Sequence, residues 1–225
     1  QPKVFVMENV PSMAEGKHIG IFRDVCTTLR TVGPRYRIHA KVLIASALGV
    51  PQRRRRLIMV GTRSDLGIDP ELAFPQPLNT PPVTLRQAVV GVEGHGKRLN
   101  PGKGKLSQMY PYIKPGGDLS DVLAAAGKKP SFFNLQRMQW DRPANTVVKS
   151  VSPGMGLLHP REHRHLTSAE LCRVSSFPDE YAWGNSTYRQ IHARLGNSVP
   201  PLMMRAVARQ IRHQILEPSR AINPT

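Results

Sequence analysis

The sequence contains only two cysteines, Cys26 and Cys172, in 225 residues. Two cysteines cannot build the disulfide framework of a small secreted domain, and no Cys-x-x-Cys pair with zinc spacing is present. Three of the eight histidines, His159, His163 and His165, lie close together in a stretch that also carries Pro and Arg. We interpret them as polar groups of a loop, and we predict no metal site.

Long hydrophobic runs and acidic residues are also scarce. The longest apolar run, Val42 to Val50, is too short to cross a bilayer, and no charged-then-apolar leader stands at the N-terminus. We therefore expect no membrane partner and a cytoplasmic location. The sequence contains 15 Asp and Glu residues but 32 Lys and Arg residues, which gives a net charge of +17. This balance, with 40% hydrophobic residues, favours a folded protein that binds nucleic acid over a merely basic soluble protein.

The first residues predict a buried strand. Val4 to Met7 is a run of β formers, typical of a strand in a parallel sheet. It ends at Glu8-Asn9-Val10-Pro11, and in open α/β sheets ligands bind at the carboxyl ends of strands. Because a domain rarely opens with its central strand, we expect a fragment or one subunit of a split protein.

The next elements alternate between helix and strand. Apolar residues three or four apart predict an amphipathic helix over Ile19 to Val32, which Gly33-Pro34 would end. We predict strands over Tyr36–Leu43 and Arg56–Val60, with a helical turn over Ala45–Leu48 between them. This order resembles the last part of a Rossmann-like sheet.

The composition changes from Thr62 onwards. Residues 91–117 are rich in Gly, Lys and Pro, so we predict that they cannot fill a core and are either disordered or lie on a phosphate backbone. Short helical segments are predicted over 84–90 and 121–126, and a strand over 146–149.

The last third of the chain carries two helix signals. Thr167 and Glu170 have capping-box spacing and predict a helix to about Ser176. Residues 195–201 predict a tight turn, with Ser198 as the cap of a final helix. That helix carries an apolar stripe, formed by Met203, Val207, Ile211 and Ile215.

Four arginines run into the strand predicted at 56–60. If the chain is extended from Gln52, then Gln52, Arg54 and Arg56 share one face, while Arg53 and Arg55 share the other. A guanidinium offers paired donors that suit phosphate oxygens or a base carbonyl. A basic, solvated strand start is the alternative when the run is considered alone.

Together these pieces resemble the cytosine-C5 DNA methyltransferase family. Glu8-Asn9-Val10 is similar to its Glu-Asn-Val motif, and Gln52, Arg54 and Arg56 match its Gln-x-Arg-x-Arg motif. Residues 166–179 resemble the motif after its target-recognition region, and residues 196–201 resemble its closing motif. Each pattern alone is weak, but their order and the variable basic stretch between them are specific.

The resemblance implies an α/β fold with three parts. Residues 1–80 would be the C-terminal part of a Rossmann-like catalytic sheet. Residues 81–195 would form a smaller, irregular, basic target-recognition domain, and residues 196–225 the closing motif and helix. The implied cofactor is S-adenosylmethionine, with Asn197 and Ser198 on its binding side, and the implied partner is duplex DNA, in a restriction-modification setting.

The chain also departs from the family pattern. The Gly-rich cofactor loop and the Pro-Cys nucleophile motif normally precede Glu-Asn-Val, but only seven residues precede Glu8. Neither Cys26 nor Cys172 follows a proline, and we expect both to be buried helix residues. The resemblance therefore implies half of an enzyme, inactive alone and completed by an N-terminal part or a partner subunit.

The resemblance assigns roles around a flipped cytosine. Glu8 would contact N3 and the exocyclic amine, and Arg56 would donate to O2. Gln52 and Arg54 would bind substrate, with Arg54 holding the nucleotide's phosphate or the loop. Asn9 would hold the loop and the carboxyl, although a simple turn residue is as good an interpretation of the pattern alone. Arg53 and Arg55 would serve structural pairing or the duplex backbone.

Two other functions remain open from the sequence. The first is a non-catalytic, sequence-specific DNA-binding or regulatory module derived from the same fold. The second is a tRNA methyltransferase on the same scaffold, which is disfavoured because the Cys-Phe-Thr signature of that branch is absent.

Overall fold

The fold is described from a computed structural model, for residues 1–33, 35–100, 102–129 and 135–222. The chain divides into two compact units. The first unit comprises Gln1–Leu48, Arg55–Asn79 and Leu202–Thr225, and the second comprises Gly49–Arg54 and Thr80–Pro201. The assignment of residues 1–80, 81–195 and 196–225 as functional domains stays a prediction.

The first unit contains a three-stranded sheet formed by β1 (Val4–Asn9), β2 (Tyr36–Ile44) and β3 (Arg55–Arg63). The strand order is β1-β3-β2, and β3 is antiparallel to both neighbours. Consequently β1 and β2 point in the same direction, and α1 (Ile19–Thr31) lies in the connection between them. The result is a split βαβ unit with β3 inserted between its two strands.

The expectation that Val4–Met7 lies in a parallel sheet is wrong in one respect, because the only strand paired with β1 in the described residues is antiparallel. Most of β1 is half-buried, not fully buried. A run of β formers reports a pleated, partly buried surface and says nothing about strand direction. Three strands do not define a Rossmann-like sheet, which stays a prediction.

The core of the first unit combines β3 with the C-terminal helices. Residues 57–62 of β3 are buried on both faces. The helices are α6 (Pro201–Gln210), a π-helical turn (Ile211–Leu216) and α7 (Glu217–Ile222). The predicted stripe is confirmed as buried, at Met203, Val207, Ile211 and Ile215. The turn packs against a 3₁₀ segment, Pro70–Ala73, and burial of each such side chain contributes about 1.5–3 kcal/mol.

The second unit is built from short elements. They are α2 (Leu85–Ala88), α3 (Leu119–Ala125), β4 (Leu135–Arg137), β5 (Gly156–Leu158), α4 (Ser168–Val174) and α5 (Tyr188–Asn197). Each of its four helices begins with a capping box, in which a side-chain oxygen and the third helical residue satisfy otherwise free backbone N–H groups. The cap residues are Thr84, Asp118, Thr167 and Thr187. The cap predicted at Thr167 is confirmed.

Residues 91–117 contribute to the cores of the second unit, contrary to the prediction. Leu99 joins a large cluster around Leu85, Leu157 and Leu195. Tyr110 and Ile113 are buried in a smaller cluster with Leu119, Leu135 and Leu158. A Gly- and Pro-rich segment can still place single apolar side chains in a core, because turns and one short 3₁₀ helix, Ser107–Tyr112, bring them there.

Two predictions for the end of the second unit are wrong. Residues 146–149 are not a strand, and Leu195 to Asn197 are the last turn of α5 instead of a tight turn. Ser198 is the C-cap of α5, where its hydroxyl donates to the carbonyl of Leu195 at 2.8 Å, and its role as the cap of the final helix stays a prediction. The helix was missed because polar residues interrupt its apolar period.

Within the described ranges, we find no helix long and apolar enough to span a membrane. The helix end predicted at Gly33-Pro34 falls partly outside the description, since Pro34 is not described. The helix itself ends at Thr31, close to the prediction.

Candidate functional site

An ion pair joins two residues predicted for the site, both in the first unit. The Glu8 Oε1 lies 2.6 Å from Nε of Arg56. Glu8 is paired with Ile58 in the antiparallel ladder, so Arg56 is its diagonal neighbour on the same face. The sequence predicted that these two side chains converge, and the structure brings them into contact; their roles stay predictions.

The pair is partly shielded from water. The exposed fraction of the side chain is 13% for Arg56 and 26% for Glu8. Burial lowers the pKa of Arg56, and the Glu8 carboxylate opposes that shift. Arg56 also donates to the carbonyl of Arg55 at 2.8 Å, so its head is held from two directions. A fixed cation and a fixed carboxylate therefore stand side by side at one end of the sheet.

Asn9 ends β1 next to this pair. Its side-chain oxygen accepts a hydrogen bond from the Val10 N–H at 2.8 Å, and the residue is exposed. Such a contact shapes the backbone of the following turn. The structure thus shows a loop contact of Asn9, and within the described ranges we find no hydrogen bond between Asn9 and the carboxyl of Glu8.

Gln52 and Arg54 lie in the second unit and both make hydrogen bonds with protein groups. Each is 1% exposed. Gln52 donates to the carbonyl of Val174 at 3.3 Å and accepts from the Val147 N–H at 3.2 Å. Arg54 donates to the carbonyls of Val147 at 2.8 Å and Gly196 at 2.6 Å.

Burial alternates along the arginine run, because Gln52 and Arg54 are buried while Arg53 and Arg55 are exposed. The chain is not extended from Gln52, however, because β3 begins at Arg55 and the Arg54 N–H donates to the Gln52 carbonyl at 2.9 Å. The Arg54 guanidinium bonds the carbonyls of Val147 and of Gly196, which lies in the last turn of α5. Both Gln52 and Arg54 are 1% exposed, and their substrate-binding roles stay predictions.

The predicted cofactor residues lie at the end of α5. Asn197 is exposed, and Ser198 is half-buried with its hydroxyl on the Leu195 carbonyl. The preceding Gly196 packs so tightly that a Cβ there would lie 2.4 Å from the carbonyl carbon and oxygen of Val148. Close packing therefore holds the start of the Asn197-Ser198 turn in place.

Both cysteines are buried, as predicted. Burial raises the pKa of the Cys26 thiol, and it raises the pKa of Cys172 to about 11. A thiolate is the nucleophilic form of cysteine, so neither residue is poised for nucleophilic attack.

One group in the second unit has the composition of a metal site. Ligand atoms of Glu93, His159 and Glu162 lie within 4.8 Å of one another. However, the His159 Nδ1 accepts from the N–H groups of Arg161 and Glu162, which places the proton on Nε2, facing Glu93. His159 and His165 are each 2% exposed, so the interpretation of this histidine group as simple loop polar residues underestimated their burial.

Several polar residues that make hydrogen bonds across the second unit were not predicted from the sequence. Arg137 is 3% exposed and donates to the carbonyls of Tyr110 and Ile113, each at 2.6 Å, and of His159 at 2.7 Å. Gln136 and Asn145 join in a hydrogen bond of 2.8 Å beside Arg53. These are isolated polar residues in a variable stretch, and only their partners, distant in sequence, reveal what they hold.

Comparison with known proteins identifies the family. The model of the C-5 cytosine-specific DNA methylases matches residues 1–213. The chain therefore belongs to the C-5 cytosine-specific DNA methylase family.

The curated relatives are named as Type II methyltransferases. M1.HphI of Haemophilus parahaemolyticus is 30% identical over 94% of this chain and 57% of its own length. M.PspPI of Psychrobacter sp. (strain TA137) is 31% identical over 94% of this chain and 54% of its own length. The chain thus spans little more than half the length of these relatives.

Solved structures support the fold. A prophage-encoded E. coli protein described as a DNA modification methyltransferase superposes with a TM-score of 0.69 at 19% identity, over 96% of this chain and 70% of the other. The Entamoeba histolytica methyltransferase EhMeth gives a TM-score of 0.56 at 16% identity, over 99% of this chain and 63% of the other. The fold is therefore an α/β methyltransferase-like fold.

Proposed function

We propose that the chain is the C-terminal part of a DNA (cytosine-5-)-methyltransferase of the restriction-modification type. The complete enzyme would transfer methyl from S-adenosylmethionine to C5 of a flipped cytosine in duplex DNA. The observation that carries this proposal is the 2.6 Å contact between Glu8 and Arg56, in a chain of the methylase family. The contact supports the proposal because a carboxyl group and a guanidinium that lie this close together would both reach one pyrimidine ring.

The chemistry explains why such a pair is useful. C5 of cytosine is a poor nucleophile until a thiolate adds at C6, and this addition raises electron density at N3 and O2 of the ring. Glu8 would take up a proton when the cytosine binds, donate it or a hydrogen bond to N3, and accept with its other oxygen from the exocyclic amine. Arg56 would donate to O2 and stabilise charge there, in the manner of an oxyanion hole.

The geometry of Arg56 favours this role. Its partial burial weakens competition from water, and its contacts with Glu8 and the Arg55 carbonyl restrict the guanidinium before a ligand arrives. A donor oriented in advance needs little reorganisation during the reaction. Asn9 would shape the turn that follows Glu8, through its contact with Val10.

The cofactor proposal rests on Asn197 and Ser198. S-adenosylmethionine supplies the methyl group when it is bound. Asn197 is exposed at the end of α5 and offers an amide to the polar amino-acid end of such a ligand. Ser198 fits less well as a donor, because its hydroxyl proton is used on the Leu195 carbonyl, but its oxygen can still accept.

The nucleophile would come from another polypeptide segment. The raised thiol pKa values and the burial of Cys26 and Cys172 support this proposal. The second edge of β1 also supports it, because no strand pairs there within the described ranges, although Val4 to Met7 are strong β formers. Such an edge is a template for a further strand.

The test is complementation. The chain is mixed with a polypeptide that carries the cofactor loop and the Pro-Cys motif, and methyl transfer to duplex DNA is measured with labelled cofactor. We expect transfer by the mixture and a fall of about 100-fold for Glu8→Gln. Glu15→Gln, an exposed acid outside the pair, is the control and should keep the full rate. Full activity of Glu8→Gln would remove the role assigned to Glu8.

A second candidate is a non-catalytic DNA-binding or regulatory module, which the buried cysteines favour. Both candidates predict that DNA affinity falls with salt, with a log–log slope of about −0.9 per phosphate contacted. They differ in methyl transfer, since the module would bind duplex DNA but show no activity under any complementation.

A further inference from the structure

A polar cleft of about 440 Å³ lies within the second unit. Arg53, Asn145 and Gln136 contribute polar side chains to its lining, and Val148 and Leu157 contribute apolar ones. His192, which is 1% exposed, also lines the cleft, and its Nδ1 has no hydrogen-bond partner among the residues that the structure describes. The volume is in the range of small-ligand sites. The His192 Nδ1 itself is closed off from solvent, so it is not counted among the polar groups that the cleft offers to a ligand.

The three polar side chains form a chain of hydrogen bonds with a defined direction. A guanidinium can only donate, so Arg53 must meet the oxygen of Asn145, as the Arg53–Asn145 contact shows. The amide nitrogen of Asn145 then faces Gln136, and it donates to the Gln136 Oε1 at 2.8 Å. Gln136 is therefore oriented with its oxygen occupied and its NH₂ group turned away from Asn145.

Because of this orientation, the cleft presents hydrogen-bond donors to a ligand. In the part of the chain that the structure describes, the Gln136 NH₂ group and the remaining N–H groups of Arg53 make no hydrogen bond. Gln136 sits on β4 between Leu135 and Arg137, which are both buried, so its side chain is held by a rigid strand. Rigidly placed donors beside an apolar wall select a flat ligand edge that carries acceptors.

We propose that this cleft reads the acceptor edge of a guanine in the duplex, so that Gln136 and Arg53 are specificity-determining residues and Asn145 is their positioning residue. The inference rests on the proposed function. Guanine presents O6 and N7 as two adjacent acceptors in the major groove, which matches paired donors. A phosphate oxygen offers the same acceptor chemistry, but desolvating its charge beside Val148 and Leu157 costs more than desolvating the uncharged edge of a base.

The test uses binding of the chain to a randomised pool of duplex DNA, followed by sequencing of the bound fraction. The decisive variant is Gln136→Glu, which keeps the size of the side chain and the oxygen that accepts from Asn145 but replaces the NH₂ donor. The control is Asn185→Asp, the same amide-to-acid change at an exposed position outside the cleft. Gln136→Ala is the second variant, and thermal unfolding verifies that each protein is folded.

We expect the parent chain to select guanine at one position of its site. Gln136→Glu and Gln136→Ala should reduce that preference by about tenfold, with preferences at other positions unchanged. The glutamate variant should also gain preference for cytosine, whose N4 group is a donor. Asn185→Asp should reproduce the parent preferences.

Two results would overturn the inference and leave the proposed function intact. One is an unchanged preference at every position in the Gln136 variants. The other is an equal loss of affinity for all DNA sequences, together with a shallower dependence of affinity on salt. These two changes mark the loss of a phosphate contact. If the parent chain binds no duplex DNA, the proposed function fails and this inference fails with it.

Discussion

The Arg54 guanidinium donates to the Gly196 carbonyl at 2.6 Å, across 142 positions of sequence. Its second hydrogen bond is to the carbonyl of Val147. This residue directly follows Asn145 and Thr146, which both line the cleft of the second unit. One buried cation thus ties the end of α5 to the segment that packs on it. The arrangement makes Arg54 a structural centre of the second unit, although its motif resembles a substrate-binding one.

The tight approach at Gly196 gives the first prediction. Gly196→Ala would place a Cβ 2.4 Å from backbone atoms of Val148, which cannot move aside like a side-chain tip. We expect a loss of about 2 kcal/mol or more in the free energy of unfolding, measured by urea titration. The matched control is Gly20→Ala in α1, where nothing lies within 4 Å; that variant should be stabilised by about 0.5–1 kcal/mol. Equal changes in the free energy of unfolding for the two variants would contradict the argument that Gly196 is tightly packed.

The arginine pair at the start of β3 gives the second prediction. Arg56 contacts Glu8, whereas the adjacent Arg55 is exposed. In the complemented enzyme, Arg56→Ala should lower the rate of methyl transfer by about 100-fold, since one oriented donor at a developing charge is worth that much. Arg55→Ala should change DNA affinity but leave the transfer rate within about twofold. Similar losses of methyl-transfer rate in both variants would show that Arg56 contributes only to the positive charge of the surface.

Glu170 gives the third prediction. It is 0% exposed and receives both Arg164 guanidinium nitrogens, at 2.8 and 2.9 Å, and the N–H groups of Gly94 and Thr167. Burial alone would raise the pKa of Glu170, but these bonds from Arg164 and the backbone lower it. Glu170→Ala should cost about 3 kcal/mol of unfolding free energy, because it leaves donors unpaired in the interior.

The control for that variant is Glu180→Ala, which removes an exposed carboxylate. We expect it to change the urea midpoint by less than about 0.5 kcal/mol in free energy. If Glu170→Ala proved as mild as the control, the ion pair with Arg164 would not be a support of the second unit.

Burial of His165 gives a prediction about pH. Burial lowers the pKa of His165 to about 4, below the value of about 6.5 in an unfolded chain. The unfolded state therefore binds the proton first, so stability is full above about pH 6.5 and is lost as the pH falls towards 4. Between about pH 7 and pH 5 this residue alone should remove about 2 kcal/mol from the free energy of unfolding.

The measurement is urea unfolding at both pH values for the parent, His165→Gln and His95→Gln. The first variant should show a smaller loss on acidification than the parent. His95 is exposed, so His95→Gln should retain the full pH dependence. Burial also lowers the pKa of His159 and His192, which is why some pH dependence should survive in every variant.

Local patterns in the sequence predicted the local structure well. The helix α1, the capping box at Thr167 and the buried stripe on α6 agree with the structure to within a few residues. Such features depend on spacing and on side chains that bond neighbouring backbone, both of which are visible in the sequence. Strand direction, the helix α5 and the buried Tyr110 were not predictable in this way, because they depend on distant partners.

The candidate site shows the same division. The sequence by itself determined the motifs around Glu8 and the arginine run, and with them the family. Only the tertiary structure decided which of the arginines contacts a carboxylate and which is buried on carbonyls. Arg54 and Arg56 are two residues apart and chemically identical, but the Arg54 partners lie 93 and 142 residues away. The role of a guanidinium is set by the groups that surround it in space, and spacing along the chain does not encode them.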